Sequence, residues 1–250
     1  MASSKKMRNT HAQRYIKAVF SELLEQEGFV AADEKLLCWY RIVNNELLHT
    51  VCFYSRWANM PLMVSIAYGI LPLFYRPYHS TDIYTPRYPI GTGFYHEVIR
   101  ESNNTQHFAP YAEDVQVFAP IDEGRGIHTL SDIILPRMNS IQTVEQAYSL
   151  HRETYSNPIC DLSPQIIDEA IYLNDTSTFE EAKQAVSKWI EKYEKWSRER
   201  PTCKENKDVL QSLLLKKEAL FDGQREAFLS FLNSQKVKTV EMLRKKYCIG

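Results

Sequence analysis

Residues 75–95 concentrate the side chains best suited to recognition. Tyr75, Tyr78, Tyr84, Tyr88 and Tyr95 alternate with Arg76 and Arg87, and Pro77, Pro86 and Pro89 restrict the backbone between them. A tyrosine offers a wide contact area, a hydrogen-bonding tip and only two χ angles to freeze, so this pattern suits a surface that grips another protein. It equally suits a long extended connection whose rings pack back onto a sheet. Arg76, Tyr78, Tyr84, Arg87, Tyr88 and Tyr95 are the candidate partner-binding residues.

Catalytic patterns fail on spacing. His96-Glu97 opens the helical zinc-protease motif, but Arg100 stands where the second histidine would complete the ligand face. The other histidines, at 11, 49, 79, 107, 128 and 151, share no ligand spacing. Cys160 with His151 and Cys38 with His49 are formal thiol–imidazole pairs. Activation needs the base within hydrogen-bond reach and a third group to orient it. Asp82, Glu97, Glu113, Asp114, Asp122 and Glu123 could pair as acid and base or hold a divalent cation, although carboxylates near turns commonly cap backbone N–H groups. Gly91-Thr92-Gly93 and Gly124-Arg125-Gly126 lack the third glycine of a dinucleotide fingerprint, with His96 and Thr129 in its place. The five cysteines, at 38, 52, 160, 203 and 248, contain no C-x-x-C, so neither a zinc ribbon nor a redox dithiol is supported. No catalytic residue, metal or cofactor is assigned on these grounds.

The elements that must position these residues follow from periodicity. Tyr15, Ile16, Val19, Phe20, Leu23 and Leu24 form one stripe of a helix over 11–27, with Gly28 as its C′ residue and Phe29 folding back onto it. Residues 36–55 are two β-rich runs around Asn44-Asn45. A two-residue loop there would set Tyr40 opposite His49, Cys38 opposite Val51 and Leu36 opposite Phe53, with Cys38 and His49 sharing the core face. A third strand alternates Leu62, Val64, Ile66, Tyr68 and Ile70 with small or flexible residues. Next come a short helix over 95–101, a strand over 114–119, a turn at Asp122-Glu123-Gly124 and a helix over 140–155. Ser163-Pro164 opens a helix, and Thr178 with Glu181 forms a capping box for another that ends at Pro201. Helices over 207–221 and 224–247 complete the chain, the last with a break near Ser234. The fold class is therefore α+β: an N-terminal helix on an antiparallel β-meander, followed by an all-helical C-terminal region. The division falls into an α+β domain over 1–160 and a helical region over 161–250.

The chain has 250 residues with 30 Lys+Arg and 31 Asp+Glu, which suits an ordinary globular protein and excludes a disordered or collagen-like one. Residues 178–250 carry 16 basic and 11 acidic side chains, interleaved at helical spacing as on a solvated face, which argues against nucleic-acid binding. The polar stretch 1–14 leads into no apolar signal region, and the apolar window 61–74 is too short and too interrupted for a membrane span. With free thiols, these features place the protein in the cytoplasm and away from membranes.

The helix ending in Gly28-Phe29, the Tyr40-Arg41-Ile42 strand, the meander and a later Leu135-Pro136 before a helix resemble small bacterial families of unknown function. Some of these act as immunity proteins beside toxins. The resemblance spans residues 11–155 and implies a non-enzymatic, protein-binding accessory role, without carrying over any functional residue. The alternative is a hydrolase or transferase whose acidic and histidine groups converge only in the fold.

Overall fold

The computed structural model describes residues 16–31, 37–56, 63–74, 95–98, 100–101, 104–105, 107–108, 123–155 and 165–247. They group into two compact units, drawn from Met1–Leu73, Tyr84–Ala147 and Val240–Gly250 for the first and from Phe74–Ile83 and Tyr148–Thr239 for the second. The expected division at residue 160 lies outside the described residues.

The first unit is a helix on an antiparallel sheet. Helix α1 (16–26) buries Ile16, Phe20 and Leu24, one residue per turn of a single stripe. Its end is a Schellman motif: the Phe29 amide donates to the Leu24 carbonyl at 2.9 Å and the Gly28 amide to the Glu25 carbonyl at 3.0 Å. Gly28 takes φ 79° to allow this, and Phe29 is buried with Leu24, as the sequence suggests.

Five antiparallel strands follow in spatial order β1 (Val30–Ala31), β2 (Cys38–Val43), β3 (Leu47–Arg56), β4 (Met63–Pro72) and β5 (Tyr95–Val98). The short ladder of β6 (Arg100–Glu101) and β7 (Asn104–Thr105) stands apart, while β8 (His107–Phe108) pairs with β4. Tyr95–Val98 and Arg100–Glu101 are thus strand where a short helix was expected. Beyond β3, the second edge of β4 offers unpaired backbone groups, and residues of good strand propensity such as Tyr95 and Val98 fill it.

The first hairpin also departs from expectation, by one residue. Val43 pairs with Leu47, Arg41 with His49 and Cys38 with Cys52, so the loop has three residues rather than two. Asn44 and Asn45 both take positive φ, at 52° and 54°, and the Glu46 amide closes the turn on the Val43 carbonyl at 3.0 Å. Glu46 is nevertheless an extra residue, because its own carbonyl accepts from the Leu73 amide at 2.8 Å instead of returning to Val43. Cross-strand partners share a face, so Trp39 joins Val51 and Phe53 on the side where Phe20 of α1 packs. Phe53 lies 4.9 Å from the Phe20 ring and 5.4 Å from Trp39.

After the sheet, α2 (Glu123–His128) occupies the expected turn at Asp122-Glu123-Gly124; Asp122 itself lies outside the described residues. A π-helical turn (Thr129–Ile134) joins α2 to α3 (Leu135–Asn139), with the Leu135 amide donating to Leu130 five residues back. Pro136 then falls in the first turn of α3, where its missing N–H is no loss. Helix α4 (Val144–Tyr155) starts later than Ser140, because Thr143 and Gln146 build a reciprocal cap. The Gln146 amide donates to Thr143 Oγ1 at 3.3 Å, and the Thr143 amide to Gln146 Oε1 at 3.1 Å.

The second unit is helical. Helix α5 (Gln165–Leu173) stops at Asn174, whose φ of 56° lets the Asp175 amide reach the Ala170 carbonyl. The next helix, α6 (Phe179–Glu199), buries Ala182, Ala185, Val186, Ile190 and Tyr193 and packs against α5 and against α7 (Lys204–Phe221). Thr178 marks the start of α6 as expected but makes no side-chain cap; its hydroxyl donates to the Asp175 carbonyl at 3.1 Å. The last helix, α8 (Arg225–Tyr247), which belongs to this unit up to Thr239, runs unbroken through Ser234, whose hydroxyl is satisfied by the Phe231 carbonyl at 2.7 Å. At its start, Arg225 donates to the terminal carbonyls of α5, Ile171 and Tyr172, both at 2.8 Å. The segment 114–119 and Ser163-Pro164 lie outside the described residues.

A Cβ at position 28 would meet nothing within 4 Å, so replacing Gly28 tests the backbone alone. Gly28→Ala should lose about 1–2 kcal/mol in urea unfolding, while Gly28→Asn, which tolerates the left-handed region, should lose less.

Candidate functional site

Among the described residues of the first unit, Arg41 stands at the centre of a polar network. Its Nη1 donates to the Glu27 carbonyl at the end of α1 at 2.9 Å, and its Nη2 donates to Asn139 Oδ1 at the end of α3. Nη2 also meets His49 Nδ1 across the strand pair at 3.2 Å, and the guanidinium lies 4.5 Å from the centre of the Phe29 ring. Asn139 completes a ring by donating through Nδ2 to Glu27 Oε2 at 3.1 Å, with that oxygen 3.7 Å from Arg41 Nη1. Asn44 ties the hairpin turn to the same region through the Gln142 carbonyl at 3.1 Å.

These contacts dictate protonation. An arginine only donates, so His49 Nδ1 must accept and the imidazole is neutral with its proton on Nε2. Burial, the Arg41 charge opposite and the opposing pull of the Ile141 backbone together hold the His49 pKa at about 3. Burial likewise lowers the guanidinium from its usual value, with Glu27 acting against it, yet an arginine remains charged throughout the accessible range. The arrangement joins α1, β2, β3 and α3 around one fixed positive charge. Arg41 Nε and His49 Nε2 are buried without a hydrogen-bond partner among the described residues.

The second unit holds its own buried charge. Lys216 of α7 reaches Asp168 of α5 at 2.7 Å, with both side chains less than a tenth exposed. Burial raises the Asp168 pKa, Lys216 opposes it, and the net direction is upward. Desolvation therefore outweighs the attraction of Lys216 in setting this carboxyl's pKa.

The sequence-derived candidates fare differently. Arg76, Tyr78, Tyr84, Arg87 and Tyr88 lie outside the described residues, as do Asp82, Glu113, Asp114 and Cys160. Tyr95 opens β5 opposite Ile70, and His96 and Glu97 follow opposite Gly69 and Tyr68. The Cys38–His49 pair does not form: Cys38 faces Cys52 while His49 faces Arg41, on the other side of the sheet. His128 is exposed and bonds Asp132 one turn on. Among the described residues, no group of three or more His, Cys, Asp or Glu is placed to hold a metal ion. The Arg41–His49 pairing escaped the sequence reading because it depends on the loop length. A lone arginine inside an otherwise apolar strand, eight residues before a lone histidine, was the available signal.

No family model, no curated protein and no solved structure matches the chain.

Two measurements check these assignments. Unfolded histidine titrates near 6.5, whereas His49 in the fold does so near 3. Above pH 6.5 both states leave it neutral; as pH falls from 6.5 towards 3 only the unfolded chain takes up the proton. The unfolding free energy should thus fall by about 1.4 kcal/mol per pH unit over that window from this group, and His49→Gln should flatten the slope by about one proton. In the second unit, Lys216→Met should cost about 3–5 kcal/mol by stranding a buried carboxylate, and adding Asp168→Leu should recover most of it.

Proposed function

We propose that this chain is a non-enzymatic binding protein, an immunity-like accessory factor of the bacterial cytoplasm, which grips a protein partner through residues 75–95. The observation that supports this reading is the pairing of β4 with β5. Ile70 and Tyr95 are register partners, so the connection over 73–94 leaves and re-enters the same sheet edge. Adjacent antiparallel strands need only about 2–5 residues to connect, so this segment far exceeds what the topology requires. Anchoring both ends lowers the entropy lost when its tyrosines and arginines meet a partner.

Charge and hydropathy support a protein partner over the other classes. The net charge of −1 gives no broad electrostatic attraction for a phosphate backbone. No helix among the described residues is long and apolar enough to cross a membrane.

The test is the triple variant Tyr78→Ala, Tyr84→Ala, Tyr88→Ala, assayed by quantitative affinity purification from the native host and by thermal melting. We expect at least one protein that co-purifies with the wild type to drop about tenfold or more with an unchanged melting temperature, since such anchors each contribute about 2 kcal/mol. Equal recovery of every co-purifying protein by the folded variant would refute the reading. A collapse of the melting temperature would instead assign these rings to the core.

A further inference from the structure

The three-residue turn brings together two thiols that no local spacing pairs. Cys38 and Cys52 are direct register partners on β2 and β3, both are buried, and both are free thiols. We propose that they form a reversible cross-strand disulfide, making the first hairpin a thiol–disulfide exchange site. The inference rests on the hairpin register and not on the binding reading.

The backbone hydrogen bonds define the geometry. The Phe53 amide donates to the Leu37 carbonyl at 2.8 Å, which makes Leu37 and Phe53 a hydrogen-bonded pair of the antiparallel ladder. The next pair, Cys38 and Cys52, is therefore a non-hydrogen-bonded one. At such positions the Cα atoms approach to about 4.5 Å and the side chains stand closer than at the alternate pairs. That separation lies inside the range of about 4.4–6.8 Å that a disulfide spans, so the bond closes without a change of register.

Position within the sheet sets the order of events. Cys38 begins β2, β1 pairs only with Trp39 and Tyr40, and among the described residues the thiol pair lies one position inside the last ladder pair, Leu37 and Phe53, at the end opposite the turn. Ladder ends open locally at far lower cost than the whole domain unfolds, and opening here exposes Cys38 first, since Cys52 sits on a strand paired on both sides. The oxidant is a low-molecular-weight disulfide. The Cys38 thiolate attacks one of its sulfurs and releases one small thiol, leaving a mixed disulfide. The Cys52 thiolate then attacks the Cys38 sulfur and expels the second small thiol. Two protein thiols lose two protons and two electrons, and the small disulfide is reduced to two thiols. Burial pushes the Cys52 thiol up, and the neighbouring Cys38 thiol pushes the same way. In the closed hairpin the second step is therefore slow, and the site responds to sustained oxidation instead of brief exposure.

The experiment equilibrates the reduced full-length chain in buffers of varied oxidised-to-reduced glutathione ratio, with and without sub-denaturing urea. Acid quenching, alkylation and peptide mapping follow. Cys203, a partly exposed free thiol at the start of α7, is the internal reference. We expect a Cys38–Cys52 linked peptide whose population follows the glutathione ratio and whose formation urea accelerates. It should exceed the glutathione adduct of Cys38 by about tenfold or more, because the neighbouring thiol resolves the mixed disulfide. In Cys52→Ala, that adduct should accumulate on Cys38 instead. Retention of both thiols in every buffer, urea included, while Cys203 takes up glutathione, would overturn the proposal. So would linkage of either cysteine to a different partner.

Discussion

The turn at Asn44-Asn45-Glu46 determines what the first unit can be. Side chains alternate across a strand with a period of two, so one additional residue in a hairpin loop exchanges which residues of one strand share a face with the other. With Glu46 inserted, Trp39, Arg41 and Val43 lie on the side where Phe53 meets α1, and Cys38, Tyr40 and Ile42 lie on the other. Two asparagines at positive φ are the cost, of a kind that Asn bears better than most residues because its short amide bonds nearby groups. Here Asn44 does so with the Gln142 carbonyl, and Glu46 gains the Leu73 amide.

That arrangement explains why a charged residue is tolerated on the helix-bearing face. Helix α1 ends above the sheet with unpaired carbonyls and the negative end of its dipole, and a guanidinium placed there meets both. Arg41 donates to the Glu27 carbonyl and lies over Phe29, the residue that folds back from the Schellman motif. In the two-residue register the same arginine would point away from α1. The three-residue register is thus supported by tertiary contacts to α1 and α3 as well as by the turn's own hydrogen bonds.

Legibility in the sequence follows from this distinction. The stop of α1 at Gly28, the strand over 63–72 and the apolar stripe of α6 are local: a capping residue, an alternation or a helical period carries each within a few neighbours. The helix-to-strand change at Tyr95 and the continuity of α8 past Ser234 are not local. The first depends on a vacant edge of β4, and the second on a hydroxyl that finds the Phe231 carbonyl without leaving the helix. The start of α4 is local as well, since Thr143 and Gln146 stand at capping-box spacing, three residues after the start expected at 140. For the functional surface, the sequence reading rests on composition alone, because residues 75–94 lie outside those described. The polar centre at Arg41 depends on pairing between strands, which composition cannot reveal.

Both units solve the burial of charge, and they do so in opposite ways. In the second, Lys216 and Asp168 neutralise each other, at a desolvation cost visible in the upward direction of the Asp168 pKa. In the first, the basic partners are two, and the sheet keeps only one of them charged: His49 stays neutral so that it can accept from Arg41. A lysine at 49 would supply no acceptor, and a protonated histidine would set two like charges about 3 Å apart in a poorly solvated interior, where their repulsion is several times that in water. Two buried polar residues of the interior strand β3 have a cross-strand partner, His49 in Arg41 and Thr50 in the Gly69 carbonyl at 3.4 Å. The polar residues of β3 are consequently coupled to the same register as its apolar ones, and a slip in the turn would leave both sets without partners.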